Sequence, residues 1–333
     1  KLKNPDYKIL ITFFSPSGYE LRKNYNGADF IYYLPIDTKK NAKKLISLIH
    51  PNIAFFVKYE FWYHYLKQLH QEKIPTYLIS GVFREDQIFF KWYADWYKNI
   101  LNYFTHFYVQ NKTSLELLQE YSFNNVTLTG DSRFDRVYEN SLTPIRLPII
   151  KAFKNDTLII IGGSSWQNEE IILANYISKF PSTFKLIIAP HDIKETHIKK
   201  IQSLFHNDSI LYSNATEQNV VDKKVLIIDN IGLLSNIYQY SDVAFIGGGF
   251  TGALHNILEP TSFGNLILFG PNHKKFHEAQ ELINYGGASV INDEIELNRV
   301  IERFSKDADE VKTKNIAFIH DNIGAVKSVL DSI

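Results

Sequence analysis

A glycine-rich stretch in the second half of the chain has the spacing of a phosphate-binding loop. Residues 242–260 read DVAFIGGGFTGALHNILEP, in which Gly247, Gly249 and Gly252 spell G-x-G-x-x-G after an apolar run. This spacing matches the sequence pattern of the dinucleotide-binding fingerprint. Glycines let a backbone approach an anion, and a helix beginning near His255 would add free N–H groups and the positive end of its dipole.

The position of this stretch argues against NAD as the ligand. The fingerprint opens the first strand-helix-strand unit of its domain and is followed, about 20 residues on, by an acidic residue. Here the stretch follows roughly the fifth apolar run of its half, and the next run leads into Gly270-Pro271-Asn272-His273, without an acid. Glu259, one turn into the predicted helix, suits sugar hydroxyls. We therefore favour a nucleotide-sugar, and a tight turn without a ligand is the alternative.

Short apolar runs alternate with helical patterns and predict the elements that must position this loop. In the first half they are 7–14, 30–35, 53–58, 75–81, 104–110 and 125–130. In the second half they are 157–163, 184–190, 209–213, 224–229, 242–248, 265–270 and 287–291. Runs rich in β-branched and aromatic residues, separated by helices, are typical of parallel sheets covered on both faces. The sequence therefore predicts an α/β protein with two doubly wound, Rossmann-like domains.

The expected domains are separated by a segment without periodicity that contains two prolines. We assign residues 1–140 to the first domain, 141–150 to the linker, 151–311 to the second domain and 312–333 to a C-terminal helix. Such Pro-containing, aperiodic segments are where domain boundaries fall.

Composition excludes several classes of protein. The 333 residues carry 36 Lys and Arg against 36 Asp and Glu, and this zero net charge does not favour a nucleic-acid partner. The absence of Cys rules out disulfides and thiolate metal sites. No apolar run reaches the roughly 18–20 residues of a membrane span, and no signal peptide is visible. There is no His/Asp set with ligand spacing, so we expect no metal.

Eight segments together resemble one enzyme family over essentially the whole chain. They are GGGFTGALHNILEP, TFFSPSGYELRKNY (12–25), YLPIDT (33–38), VKYEFWYHYL (57–66), FREDQIFFKWY (83–93), GDSRFDRV (130–137), GGSSWQNEE (162–170) and FGPNHKKFHEA (269–279). The family is the 3-deoxy-D-manno-octulosonic acid (Kdo) transferases of lipid A assembly, which are GT-B glycosyltransferases. The resemblance implies two domains facing a cleft and inverting transfer of Kdo from CMP-Kdo to a lipid A precursor (lipid IVA). It also implies that the enzyme acts at the cytoplasmic face of the inner membrane and needs no cofactor.

The resemblance also implies particular site residues. CMP binding falls on Pro190, His191, Ile231, Gly232, Leu233, Asn256, Ile257, Leu258 and Glu259. The chain departs from the family where His191-Asp192 replaces Arg-His and where Leu233 replaces Glu. Further donor contacts are expected at Ser164, Ser165, Gly249, Gly252 and Lys274. Ser164 and Ser165 could instead cap a helix. Lys274 lies in what looks like a solvated basic turn with His273 and Lys275.

Two residues are expected to stabilise the transition state. Arg133 would oppose the charge of the departing phosphate, and Glu60 would assist, as the resemblance implies. The alternatives are an Arg133 surface pair with Asp131 or Asp135, and a buried Glu60 paired with Lys58 or Arg84. His255 could act as a base, although a His at a helix start is more often structural.

The family's general base is a Glu in a short Ser-x-Gly-Glu motif in the first strand-to-helix turn. No such motif occurs between Lys1 and Lys8. We therefore expect that the chain begins after the first such unit, that it does not turn over alone, and that further residues with a membrane anchor precede it in the intact protein. Loss of that unit's strand would also leave one side of a neighbouring strand exposed in the first sheet.

The aromatic block IFFKWYADWYKNILNYF (88–104) allows two interpretations, an amphipathic helix lying on a bilayer and a core helix with large side chains. Two other functions stay open. One is a GT-B enzyme or epimerase that uses a UDP-sugar, and the other is an inactive module that binds a sugar nucleotide.

Overall fold

The computed structural model describes residues 5–180, 184–205 and 208–333, and it confirms the α/β prediction. Each of the thirteen predicted runs contains a strand, and every paired strand runs parallel to its neighbour. The chain divides into two compact units. One comprises Lys1–Asp131 with Val326–Ile333, and the other comprises Ser132–Ala325.

The first unit contains two parallel sheets. Strands β1 (Leu10–Phe13) and β2 (Phe30–Tyr33) form one, and β3 (Ala54–Val57), β4 (Thr76–Gly81), β5 (His106–Val109) and β6 (Val126–Leu128) form the other in that order. The helices that follow these strands along the chain are α1 (Pro16–Arg22), α2 (Lys39–Ile49), α3 (Tyr63–Gln71), α4 (Asp95–Leu101) and α5 (Lys112–Glu120). Several of these helices begin at a residue whose side chain accepts from the first turn, such as Thr38 and Asn111.

Two strands of the first unit depart from the expectation of sheets covered on both faces. Phe30 and Tyr32 on β2, and Phe55 and Val57 on β3, are exposed. In the described part of the unit, β3 pairs with β4 and β1 pairs with β2. The buried core is formed by β4, β5 and β6 together with helices and loops of the unit, and it includes Leu78, Phe83 and Phe107.

The second unit is built on one seven-stranded sheet in the order β13-β12-β11-β7-β8-β10-β9. Its strands are β7 (Leu158–Ser165), β8 (Phe184–Pro190), β9 (Ser209–Leu211), β10 (Val225–Ile227), β11 (Val243–Ile246), β12 (Leu266–Phe269) and β13 (Ala288–Val290). Its helices are α6 (Ser132–Leu142), α7 (Pro148–Lys154), α8 (Gln167–Lys179), α9 (Glu195–Phe205), α10 (Leu234–Ile237), α11 (Leu258–Ser262), α12 (His277–Tyr285) and α13 (Glu294–Asp321). The sheet starts at its centre with β7 and grows outward on both sides, which makes it doubly wound.

Alternate residues of the central strands enter two separate cores. Ile159 and Ile161 of β7 pack into the core on one face, whereas Ile160 packs into the core on the other. On β11, Ala244 and Ile246 follow the first pattern, and Val243 and Phe245 the second. This alternation explains why the strands read as continuous apolar runs, because both faces of a buried parallel sheet are covered.

The boundaries of the units differ from those expected from the sequence. The first unit ends at Asp131, before the predicted boundary at residue 140, because α6 packs on α11 and α13 of the second unit's own core. The predicted linker 141–150 includes the first turn of α7. The predicted terminal helix is the second part of α13, which begins after the cap Asp293 and is interrupted by a kink at Asp307, and it is followed by a separate helix, α14 (Ala325–Asp331). Residues 1–4 of the predicted first domain lie outside the described residues.

The aromatic block has a buried part, as the core interpretation predicts, and an exposed part. Phe89 and Phe90, in a 3-10 turn, join Ile100, Leu101 and Phe104 in the first unit's core. Trp92, Tyr93, Trp96 and Tyr97 instead face solvent. Within the ranges that the structure describes, no helix has both the length and the apolar character needed to cross a membrane.

Candidate functional site

The candidate site lies at the carboxyl edge of the second unit's sheet, where β7, β8 and β11 end side by side. In a doubly wound sheet the crevice beside the first strand, where the winding direction reverses, is the usual ligand position. Here β7 lies between β11 and β8, so its end at Ser165 borders that crevice. The loops after these three strands carry many of the residues that we expect, from the sequence, to contact the sugar-nucleotide.

The glycines of the G-x-G-x-x-G stretch serve mainly to bring main chains together. A Cβ on Gly247 would lie 2.7 Å from the carbonyl carbon of Ser164, and one on Gly249 would lie 2.9 Å from Gly270 Cα. Gly252 has φ +77°, and a Cβ there would meet only Asn272, at 3.9 Å, so it is the glycine of the motif with the most room for a ligand. The loop after β11 is therefore packed against its neighbours.

The helix expected near His255 begins later and is short. Helix α11 starts at Leu258 and has five residues. The His255 N–H donates to the Gly247 carbonyl at 3.0 Å, and the Ala253 N–H donates to the Gly248 carbonyl at 3.0 Å. The backbone thus folds back on itself before the helix starts, which corrects the prediction of free N–H groups at His255.

Three aromatic rings form a ladder across the loop ends. Trp166, after β7, stacks on His191, after β8, with ring centroids 4.3 Å apart. His191 in turn contacts His255, after β11, at 4.7 Å. Burial lowers the pKa of His255, and the neighbouring His191 adds to this effect. His255 is thus biased towards its neutral form.

The segment from Asn256 to Glu259 divides into exposed and buried parts. Ile257 and Leu258 belong to the hydrophobic core, so only their backbone atoms are available to a ligand. Burial raises the pKa of Glu259, whereas its hydrogen bond with Asn256 and the nearby Arg136 oppose that rise. The carboxylate is therefore held in a half-buried position with polar partners.

The two serines after β7 have different environments. Ser165 is fully buried, and its hydroxyl donates to Glu170 Oε1 at 3.1 Å. Ser164 is partly exposed and has φ +49°, an uncommon backbone conformation for a residue with a side chain. Neither serine is the cap of α8, since that position is Trp166. Ser164 is thus the better placed of the two for a ligand.

The turn that carries Lys274 adjoins the glycine loop. The Asn272 N–H donates to the Gly249 carbonyl at 2.7 Å, while Lys274 and Lys275 are exposed. His273 is not part of a solvated turn as predicted, because its ring is 92% buried beside Phe269, with centroids 5.1 Å apart. Its Nδ1 has no hydrogen-bond partner among the described residues.

Three of the remaining CMP candidates follow β10, the strand beside β8, and the fourth ends β8 itself. Ile231 is 80% exposed, and Gly232 has φ +94° with open space around its Cα. Leu233 caps α10 and packs against the core. Pro190, the last residue of β8, is buried.

The two expected transition-state residues have partners that the sequence did not suggest. Arg133 Nη2 forms a salt bridge with Glu278 Oε1 at 2.9 Å, within the second unit. Glu60, in the first unit, is exposed and accepts a hydrogen bond from the Trp62 indole N–H, so the alternative of a buried Glu60 is wrong. Arg84 is 3.3 Å from Asp86.

A pair of buried carboxylates was not predicted from the sequence, although the letters NEE in GGSSWQNEE signal it. Glu169 and Glu170 lie in the first turn of α8 and are 1% and 2% exposed. Two adjacent acidic residues just after a buried strand are unusual, because buried carboxylates need partners. Across the described ranges, no group of three or more His, Asp or Glu side chains is arranged to hold a metal ion.

The fold is shared with sugar-nucleotide proteins of known structure. A UDP-N-acetylglucosamine 2-epimerase superposes with a TM-score of 0.66 at 13% identity, covering 94% of this chain and 84% of that one. The UDP-GlcNAc 2-epimerase of Neisseria meningitidis gives 0.65 at 15% identity, covering 97% and 90%. At such identities the likeness concerns the fold alone, and the class it defines is GT-B.

Sequence comparison narrows this class. Residues 1–136 match the family model described as 3-deoxy-D-manno-octulosonic-acid transferase (kdotransferase). The enzyme of that name from Aquifex aeolicus is 25% identical over 300 residues, covering 88% of this chain and 77% of that one. The Haemophilus influenzae enzyme is 23% identical over 351 aligned positions, covering 98% and 80%. The chain is thus related to the Kdo transferase family, as its motifs indicated. It spans 58% of another such relative, from Rickettsia bellii.

The glycine contacts predict different costs for two alanine substitutions. Gly249→Ala should destabilise the protein by about 3 kcal/mol, since its methyl group meets the main chain of Gly270, which has no room to move. Gly252→Ala should cost only about 1 kcal/mol, the penalty of a left-handed backbone for a residue with a Cβ. Urea unfolding measures both. Equal midpoints for the two variants would contradict this packing.

His255 should make stability depend on pH. In the unfolded chain its pKa is near 6.5, and in the folded protein it is lower, so acidification protonates the unfolded state first. Stability should therefore fall as the pH drops from about 7.5 to 5.5, and His255→Gln should lose less over this range. Thermal unfolding measures the difference, with exposed His277→Gln as the control. Identical pH profiles for wild type and His255→Gln would refute this assignment.

Proposed function

We propose that the second unit binds the CMP part of CMP-Kdo and that the chain is a Kdo transferase acting on a lipid A precursor. The observation that carries this is the contact between His191 and His255. It places one segment that the family resemblance assigns to CMP, 190–191, beside the residue that immediately precedes another, 256–259, although the two lie far apart in the sequence. Relatives named as Kdo transferases over most of the chain support the same proposal.

The chemistry of the site suits a nucleoside monophosphate. Glu259 is held by Asn256 near Arg136 and presents a carboxylate to ribose hydroxyls. The ring ladder offers flat surfaces for a base, since stacking on aromatic rings tolerates any base face. Gly252 lies in the glycine loop and the exposed Lys274 lies in the turn that adjoins it, and both suit anionic groups of the donor.

The proposed reaction is a single displacement with inversion. An acceptor hydroxyl oxygen forms a bond to the anomeric carbon of Kdo as the bond from that carbon to the CMP phosphate oxygen breaks. The hydroxyl proton passes to a base, and CMP departs carrying the negative charge. Arg133 would stabilise that charge by leaving Glu278 for the phosphate, and Glu60 would assist. The proposal needs no metal and no cofactor.

We also propose that the first unit contacts the inner-membrane surface through the exposed part of its aromatic block. Trp92 is 91% and Trp96 52% exposed, and Tyr93 and Tyr97 accompany them. Lys91 and Lys98 flank these rings. Tryptophan and tyrosine interleaved with lysine suit the boundary between lipid headgroups and acyl chains.

Nucleotide binding tests the donor site. CMP should raise the melting temperature of the chain, and UMP should do so less. Glu259→Gln should weaken CMP binding roughly 10- to 100-fold, the value of a hydrogen bond to a charged group. Isothermal titration calorimetry measures this, with the exposed Glu310→Gln as a charge-matched control. Preference for UMP or UDP would favour the UDP-sugar alternative, and absence of nucleotide binding would overturn the proposal.

Vesicle binding tests the membrane surface. The double variant Trp92→Glu, Trp96→Glu should bind vesicles of phosphatidylglycerol and phosphatidylethanolamine at least about tenfold more weakly, since burial of one large apolar side chain contributes about 1.5–3 kcal/mol. Co-sedimentation measures the bound fraction. Leu142→Glu, also exposed but on α6, should bind like wild type. Unchanged binding of the double variant would exclude this surface.

A further inference from the structure

The buried carboxylates of Glu169 and Glu170 each connect α8 to a different loop of the candidate site. Glu169 Oε1 accepts from the Gly248 N–H at 3.0 Å, and its Oε2 accepts from the Trp166 N–H at 3.0 Å. One carboxylate thus joins the loop after β7 to the loop after β11. Burial raises the pKa of Glu169, and the two backbone N–H groups oppose that rise.

Glu170 connects the loop after β7 to the loop after β8. Its Oε1 accepts from the Ser165 hydroxyl at 3.1 Å, and its Oε2 lies 2.9 Å from His197 Nε2. His197 Nδ1 lies 2.9 Å from the Asp192 carbonyl oxygen. A carbonyl can only accept, so Nδ1 carries a proton. Ser165, Glu170, His197 and Asp192 are thus joined by one continuous series of hydrogen bonds.

These bonds hold an unfavourable backbone in place. Ser164 has φ +49°, and the pairing of β7 with β8 shifts register between Gly163 and Ser165. Such a conformation persists only where the surroundings impose it. The bond from Ser165 to Glu170 and the bond from Trp166 to Glu169 fix the chain immediately after Ser164. The position of the Trp166 ring, and hence of the ladder with His191 and His255, follows from them.

We propose that Glu169 and Glu170 are positioning residues for the donor nucleotide, which rests on the proposed CMP site. Neither needs to touch CMP. Together they set the spacing of the loops after β7, β8 and β11, and therefore the geometry of the ring ladder. His197 acts with Glu170 by holding the main chain at Asp192, next to His191.

Conservative and disruptive variants separate positioning from general stability. Glu169→Ala and Glu170→Ala should each weaken CMP binding by about tenfold or more, because each removes two hydrogen bonds to a charged group. Glu170→Gln should retain affinity within about threefold, since its amide oxygen can accept from Ser165 while its NH2 donates to a neutral His197. Calorimetric titration with CMP on the full chain measures all three.

A matched control and a ligand-free measurement complete the test. Val243→Ala, buried at the amino end of β11, should lower the melting temperature and leave CMP affinity unchanged. In ligand-free Glu169→Ala, the Gly248 amide should exchange its hydrogen faster, as followed by NMR. Wild-type affinity in both alanine variants, or an equal loss of affinity in Val243→Ala, would overturn the positioning role alone. If wild type itself fails to bind CMP, the proposed function fails and this role fails with it.

Discussion

The candidate site depends on the close approach of main chains at the carboxyl edge of the seven-stranded sheet. Ser164 touches Gly247, and Gly249 touches Gly270, at distances that leave no space for a side chain. These contacts bring the loops after β7, β11 and β12 together before any ligand is present. A tightly packed set of loops can present polar groups in a defined arrangement, and this preorganisation is what recognition of a nucleotide requires.

The burial of two carboxylates at this edge creates a second constraint, which is electrostatic. Glu169 and Glu170 are enclosed by protein, and such groups are tolerated only with several hydrogen-bond partners. Backbone N–H groups, the Ser165 hydroxyl and His197 supply them. The same bonds that stabilise the carboxylates also connect the loops, so the partners of the buried charges set the shape of the site.

Much of the fold could be predicted because its signal is local. A parallel strand covered on both faces is a short apolar run, and each such run became a strand. The position of the glycine loop, after roughly the fifth apolar run of its half, also argued against a dinucleotide-binding fingerprint. The helix start near His255 could not be predicted correctly, because the loop's N–H groups turn back to the carbonyls of Gly247 and Gly248. The domain boundary lies earlier than predicted because α6 packs with α11 and α13, and no local sequence pattern indicates those contacts.

Partners of charged groups were harder to predict than the groups themselves. Arg133 and Glu60 stood out by residue type and position, but Glu278 lies far along the sequence from Arg133, and the partner of Glu60 is the indole N–H of Trp62, which carries no charge. The likeness to Kdo transferases guided the choice of CMP-binding segments. The contact of His191 with His255 lies at one of these segments and directly before another, which starts at Asn256.

By itself, the sequence determined the class of fold, the order of the strands along the chain, the family resemblance and the residue types available for nucleotide binding. These follow from local periodicity and from motifs that are contiguous in the chain. Only the tertiary structure decided which glycines serve packing and which leaves room for a ligand, which rings form the ladder, and where the buried carboxylates of α8 find partners. Those features depend on contacts between residues tens of positions apart, such as Glu169 with Gly248, and such contacts exist only once the sheet has assembled.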